Sequence, residues 1–221
     1  MMTDSRKPFV LGLISLAALM VGGIIFAVRY AGPSSSSGTY DANVSFVDDG
    51  DPTYGPTDAP ITIRMFEDFE CSACRVAKTG VDYVKQTYGD KVRFVWNDVP
   101  LPMHQYARLA ANAGRCAEEQ GKFWEYGDLV YQEQPYWSQS KNASDAQTLF
   151  IRYAEQIGLN KDSFTTCFDD RRYDAKVVAD SKEAQANKVD ATPTFFVNQK
   201  RYVGVMSNAQ WDAAIKEATQ K

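Results

Sequence analysis

Two cysteines separated by two residues, Cys71-Ser72-Ala73-Cys74, are the residues of this chain best suited to chemistry. The spacer brings the sulfurs within bonding reach, so the pair can pass between dithiol and disulfide. The flanking pattern predicts what positions them. Residues 61–66 are apolar and β-branched and read as a strand. Ala73, Ala77, Val81, Val84 and Tyr88 recur at spacings of four and three, one face of a helix that Gly89 suits as a stop. The pair therefore sits where a strand gives way to a helix. A helix N-terminus presents free N–H groups and the positive end of its macrodipole. Both favour a thiolate on Cys71, and a thiolate is the attacking species in disulfide exchange. Cys74, one turn in, is the more sheltered partner that closes the internal disulfide.

Other chemistries of a C-x-x-C pair are weaker here. Structural zinc needs two more ligands, usually closely spaced. Cys116 and Cys167 stand alone, far apart, and His104 is the only histidine. A soft-metal carrier stays open because thiolates suit Cu(I), although no methionine cluster accompanies the pair. The formal net charge of −4 argues against a nucleic-acid surface. No metal or organic cofactor is expected.

The 221 residues suffice for an anchor plus one domain. Residues 8–28 carry no charged side chain and are long enough to span a bilayer as a helix. We read 1–29 as an uncleaved transmembrane anchor, 30–56 as a flexible linker around Ser34-Ser35-Ser36-Ser37, and 57–221 as the domain. Within the linker, residues 44–47 suggest a short leading strand. Arg6 and Lys7 precede the span and Arg29 closes it, which places the N-terminus in the cytoplasm and the domain outside.

Further elements follow from period and punctuation. Strands are predicted at 92–96, 194–197 and 201–205, with a turn at 198–200. Between them lies a helical block of about ninety residues, near 101–190. Its helices are marked by Tyr106, Leu109, Ala110, Ala113, Cys116 and Ala117, by 123–132, by 146–157, by Phe164, Cys167 and Phe168, and by 174–188. Trp211, Ala214, Ile215 and Ala218 mark a closing helix. The order is strand, helix, strand, helical block, strand, strand, helix. This is an α/β plan with a helical insertion.

Phe66-Glu67-Asp68-Phe69-Glu70-Cys71-Ser72-Ala73-Cys74 resembles the active-site segment of DsbA-like thioredoxin-fold proteins. Ala191-Thr192-Pro193-Thr194-Phe195-Phe196-Val197 looks like their cis-proline loop and following strand. The stretch from Cys116 to Glu125, with Gly121-Lys122-Phe123-Trp124, is similar to an insertion motif of one branch. The resemblance implies a thioredoxin fold and a thiol–disulfide oxidoreductase with Cys71 as nucleophile and Cys74 as resolving thiol. It implies a cis Thr192–Pro193 bond beside Cys71 that offers backbone to an extended substrate. It also implies a structural disulfide between Cys116 and Cys167, where the residues alone leave buried free thiols or a second redox pair open. An even cysteine count of this kind fits an oxidising compartment. The implied partners are unfolded or reduced proteins and a membrane redox protein, linked to quinone in the family, that reoxidises a monomeric enzyme.

Three departures weaken parts of this reading. Met65 stands six before Cys71, where relatives often place an acid or another polar group, so a buried proton shuttle is not expected there. Glu67, Asp68 and Glu70 are expected to be solvated strand-end charges. Ser72-Ala73 lacks the thiolate-stabilising histidine common between such cysteines, and the turn is Asn198-Gln199 rather than Asn-Gly. His104 is expected to be a partly exposed helix-end histidine without a role. Oxidation of extracytoplasmic proteins is the favoured activity. A reductase or isomerase is the near alternative, and a non-catalytic peptide- or metal-binding module is the alternative of another class. Asn43-Val44-Ser45 and Asn142-Ala143-Ser144 match a weak glycosylation pattern.

Overall fold

The computed structural model describes residues 39–40 and 44–220. The predicted anchor and residues 30–38 and 41–43 of the predicted linker lie outside the described residues. Among the described residues no helix is long and apolar enough to cross a membrane.

Six strands form one sheet in the order β1-β6-β5-β3-β4-β2. At its centre β3 (Ile61–Glu67) runs parallel to β4 (Val92–Asp98), with Met65 opposite Trp96. A parallel pair needs a crossover, and α1 (Ser72–Tyr88) supplies it. β5 (Thr194–Val197) lies antiparallel to β3 on its other side, and β6 (Lys200–Val203) pairs with β5 through the turn at Asn198. Asn198 has a positive φ of 53°. Its side-chain oxygen accepts from Thr62 N–H, so asparagine serves this turn where glycine is usual. Two short edge strands, β1 (Thr39–Tyr40) and β2 (Thr53–Tyr54), complete the sheet.

The predicted helical block is present. It comprises α2 (Ala107–Glu118), α3 (Phe123–Gln132), α4 (Gln134–Trp137), α5 (Ala143–Gln156), α6 (Lys161–Asp169) and α7 (Asp174–Ala186). Asn142 caps α5 by accepting from Asp145 N–H, and Asn160 caps α6 by accepting from Ser163 N–H. A disulfide joins Cys116 on α2 to Cys167 on α6. The closing helix α8 (Asn208–Ala218) starts with a capping box at Ser207 and Gln210 and sets Trp211 edge-on to Phe195.

The expected leading strand at 44–47 and the expected domain start at 57 both need correction. Residues 44–48 form no strand. The Phe46 ring packs instead on Phe66 and Phe196 at 6.1 and 5.1 Å. The side chain of Asn187 both donates to and accepts from the Ser45 main chain. That side-chain amide stands in for a neighbouring strand, which is why an extended, β-prone segment forms no ladder here. Further along, Asp51 bonds Arg115, and Asp48 bonds Arg64. Residues 44–56 are thus part of the packed domain rather than tether.

Candidate active site

Cys71 occupies the N-cap position of α1, with φ −70° and ψ 121°, and no side chain caps the helix from there. The free N–H groups of the first turn are left for the sulfur. Phe69, two residues earlier, anchors the approach to the site. Its ring stacks on Trp96 at 4.7 Å and lies 5.1 Å from Tyr131. Gly114 and Gly127 leave room for it, since a Cβ on either would come within 3.0 to 3.2 Å of the ring. The insertion therefore closes over the strand end that delivers the cysteines.

The two thiols are driven apart in acidity. The Cys74 thiol donates to the Cys71 sulfur and is the largest influence on it. Burial opposes that influence. The Thr192 hydroxyl, otherwise unpartnered, and the N–H groups of Cys74 and Ala73 reinforce it. Cys71 is pulled down to about 5 from an ordinary 9.0. Burial pushes Cys74 well above its ordinary value, and the Cys71 sulfur adds to the push. One thiolate and one retained thiol is what exchange chemistry needs. Thr192–Pro193 is cis, and the Thr192 carbonyl lies 3.5 Å from the Cys71 sulfur. The structure thus brings Cys71, Cys74, Thr192 and Pro193 together, and it places Cys116–Cys167 apart as an already closed bond.

The expectation that Glu67, Asp68 and Glu70 are solvated is overturned. Glu67 and Asp68 are each 2% exposed and Glu70 is half-buried. The insertion and the loop after β4 cover this strand end, which a lone strand would leave in water. Glu67 accepts from the Tyr131 hydroxyl at 3.0 Å and faces the Cys74 thiol. Burial raises it to about 8 against an ordinary 4.5. A buried acid therefore faces Cys74 after all, two residues on from Met65. A narrow cavity of about 20 Å³, room for about one water, runs past Glu67, Cys74 and Tyr131 toward the surface. There Lys78 of α1 bridges Asp82 and Asp128 at 2.5 and 3.0 Å.

Asp68 organises the opposite flank. Its carboxylate accepts from Glu70 N–H, Leu101 N–H and His104 Nδ1, each within 2.8 Å, and its carbonyl accepts from Cys71 N–H at 3.0 Å. His104 is partly exposed, as expected, but it lies in the turn before α2 rather than on a helix end. Burial alone would depress its imidazole. The Asp68 carboxylate, helped by the Cys71 and Glu70 charges, raises it instead. His104 therefore pairs with Asp68 and feels the Cys71 charge, while the Cys71 thiolate itself is held by Cys74, Thr192 and the first-turn N–H groups. Among the described residues no cluster of His, Cys, Asp and Glu suits a metal ion.

Glu67 was legible in principle. Ile61, Ile63 and Met65 share one face of β3, and period two carries that face to Glu67. Tyr131 and the residues of α4 carried no such signal, because their role depends on how the insertion folds back.

Comparison with known proteins bears on this geometry. The family model described as thioredoxin matches residues 48–217. The protein called Na(+)/H(+) antiporter NhaA 3 of Salinispora tropica is 36% identical over 185 residues, 83% of this chain but 27% of the antiporter. The chain thus spans about a quarter of the length of the curated relatives it matches. BdbD from Bacillus subtilis, in its oxidised form, superposes with a TM-score of 0.68 at 23% identity, covering 78% of this chain and 94% of BdbD. The thiol-disulfide exchange protein alpha-DsbA2 of Wolbachia pipientis gives 0.65 at 16% identity, covering 76% and 86%. These likenesses establish a common fold with a helical insertion.

Proposed function

The chain belongs to the thioredoxin family, and from that premise we propose that it is a dithiol–disulfide oxidoreductase that oxidises cysteines of other proteins through Cys71 and Cys74. The observation that carries this reading is the split acidity of the pair. A stabilised Cys71 thiolate favours the reduced enzyme, and an enzyme whose reduced form is stabilised is an oxidant.

In the oxidised enzyme a substrate thiolate attacks the Cys71 sulfur. The Cys71–Cys74 bond breaks, a mixed disulfide forms at Cys71, and Cys74 leaves as a thiolate. Glu67, protonated at neutral pH by its burial, gives its proton to Cys74 and regains one through the cavity behind it. A second substrate thiolate then attacks the substrate sulfur of the mixed disulfide. The substrate departs with its own disulfide and Cys71 departs as the stabilised thiolate. Two electrons have passed to the enzyme. The cis Thr192–Pro193 segment beside Cys71 offers backbone groups to an extended substrate chain.

The cellular setting belongs to the same proposal. The apolar stretch 8–28 anchors the chain, and the catalytic domain faces an oxidising compartment, a placement supported by the Cys116–Cys167 bond. A membrane redox partner takes the two electrons back from Cys71 and Cys74. The antiporter name belongs to relatives whose length lies mostly outside the match, and the redox reading rests on the cysteine site instead.

The direct experiment mixes the oxidised full-length protein with a reduced, unfolded substrate and follows free thiols. Stoichiometric loss of substrate thiols is expected, and Cys71→Ala should abolish it. Full activity in that variant would refute the assignment.

A further inference from the structure

α1 begins without the usual help. Its N-cap residue is the nucleophile, so no Ser, Thr, Asp or Asn is available there to fix the first turn by a side-chain bond. The first-turn N–H groups must nevertheless stay aimed at sulfur. Something outside the helix has to hold the Cys71 main chain.

Gln134 is placed to do this. It is 5% exposed at the start of α4, 63 residues away in the chain. Its Nε2 donates to the carbonyls of Phe69 at 2.7 Å and Cys71 at 3.0 Å, and its Oε1 accepts from Arg75 Nε at 3.1 Å. Carbonyls only accept and a guanidinium only donates, so these partners fix which way the amide points. These three side-chain hydrogen bonds all go to the segment around the reactive cysteine. The Cys71 carbonyl also accepts Arg75 N–H at 3.2 Å, which closes a ring through Cys71, Gln134 and Arg75 across the first turn.

We propose that Gln134 is a positioning residue for disulfide exchange, an amide from the helical insertion that clamps the Cys71 main chain so that sulfur, rather than an oxygen cap, receives the first-turn N–H groups of α1. The proposal rests on the redox reading above but concerns the ionisation of Cys71, which can be measured without any protein substrate. It also gives the insertion a direct influence on the chemistry: α4 touches the site through this side chain.

The test is a pH titration of Cys71 reactivity toward iodoacetamide, on the full-length reduced protein, with thiolate absorbance as a second readout. Gln134→Met keeps the length and removes both donors. It should raise the midpoint by about one unit and lower the alkylation rate near pH 5 by roughly fivefold. The potential of the cysteine pair should move in the reducing direction. A variant that melts earlier while keeping the wild-type midpoint and potential would show a merely structural clamp and overturn the proposal. Arg75→Met covers the case in which Gln134→Met does not fold, because Arg75 is exposed and its loss only frees the amide to turn. A smaller upward shift is expected there, and in that case no shift overturns the proposal. Failure of Cys71→Ala to abolish substrate oxidation would refute the redox reading while leaving this titration interpretable.

Discussion

Two side chains with opposed shifts govern the behaviour of the reduced site with pH. Cys71 has a folded value near 5 against 9.0, so the unfolded chain holds the extra proton across that window and stability rises with pH through it. Glu67 has a folded value near 8 against 4.5, so the native state holds the extra proton and stability falls as pH rises through that window. Between pH 5 and 8 these two slopes oppose each other. Glu67→Gln removes the falling arm. Its reduced form should become more stable from pH 5 to 8 and exceed the wild type at pH 8, as chemical denaturation would show; a profile matching the wild type would count against a buried protonated Glu67. The same variant should slow exchange by roughly 10²-fold at neutral pH, because the leaving Cys74 loses its proton donor. At this scale the cysteine pair was plain from spacing, whereas the acid was hidden by the assumption that a strand end with three acids faces water. Burial by a distant segment decides that, and the only local sign of it is the period-two face of β3 that runs on to Glu67.

Elements were easier to read than side chains. The strands at 61–67, 92–98 and 194–197 and the helix from 72 to 88 follow from period and β-branching, and the structure has them within a residue or two of the predicted ends. Residues 44–47 misled because extended propensity says nothing about whether a backbone partner is free. Gly80, inside α1, looks like a helix-weakening residue by propensity. Its reason is tertiary: a Cβ there would meet Trp211 Nε1 at 2.5 Å and the Met206 carbonyl at 3.1 Å, so α1 and α8 approach through it. Gly80→Ala should therefore destabilise by about 1–3 kcal/mol despite the better helix former. A melting temperature at or above the wild type would contradict that packing.

Across the whole molecule, one buried charge cluster ties the leading segment to both halves of the domain. Arg115 on α2 bonds Asp98 of β4, Asp51 of the leading segment and Asp180 of α7, and Lys176 joins Asp49, Asp51 and Asp180. Arg115 is 1% exposed, so removing it leaves the buried Asp98 without a cation and Asp51 and Asp180 to Lys176 alone. Arg115→Met should cost about 3–5 kcal/mol and loosen residues 48–51, visible as faster amide exchange there. The cluster explains why the domain does not begin at 57: the acidic run that reads as tether is the counter-charge of a buried arginine. The α/β plan and its insertion were legible because they rest on repeating patterns, while this cluster joins single residues far apart in the chain.

The whole arrangement converges on one poised pair, with Cys71 held as a thiolate, Cys74 held as a thiol and an acid behind it. The equilibrium potential of Cys71–Cys74 against glutathione tests that most directly. The account predicts an oxidising value, above about −180 mV. A value near that of thioredoxin, about −270 mV, would contradict it and identify a reductase.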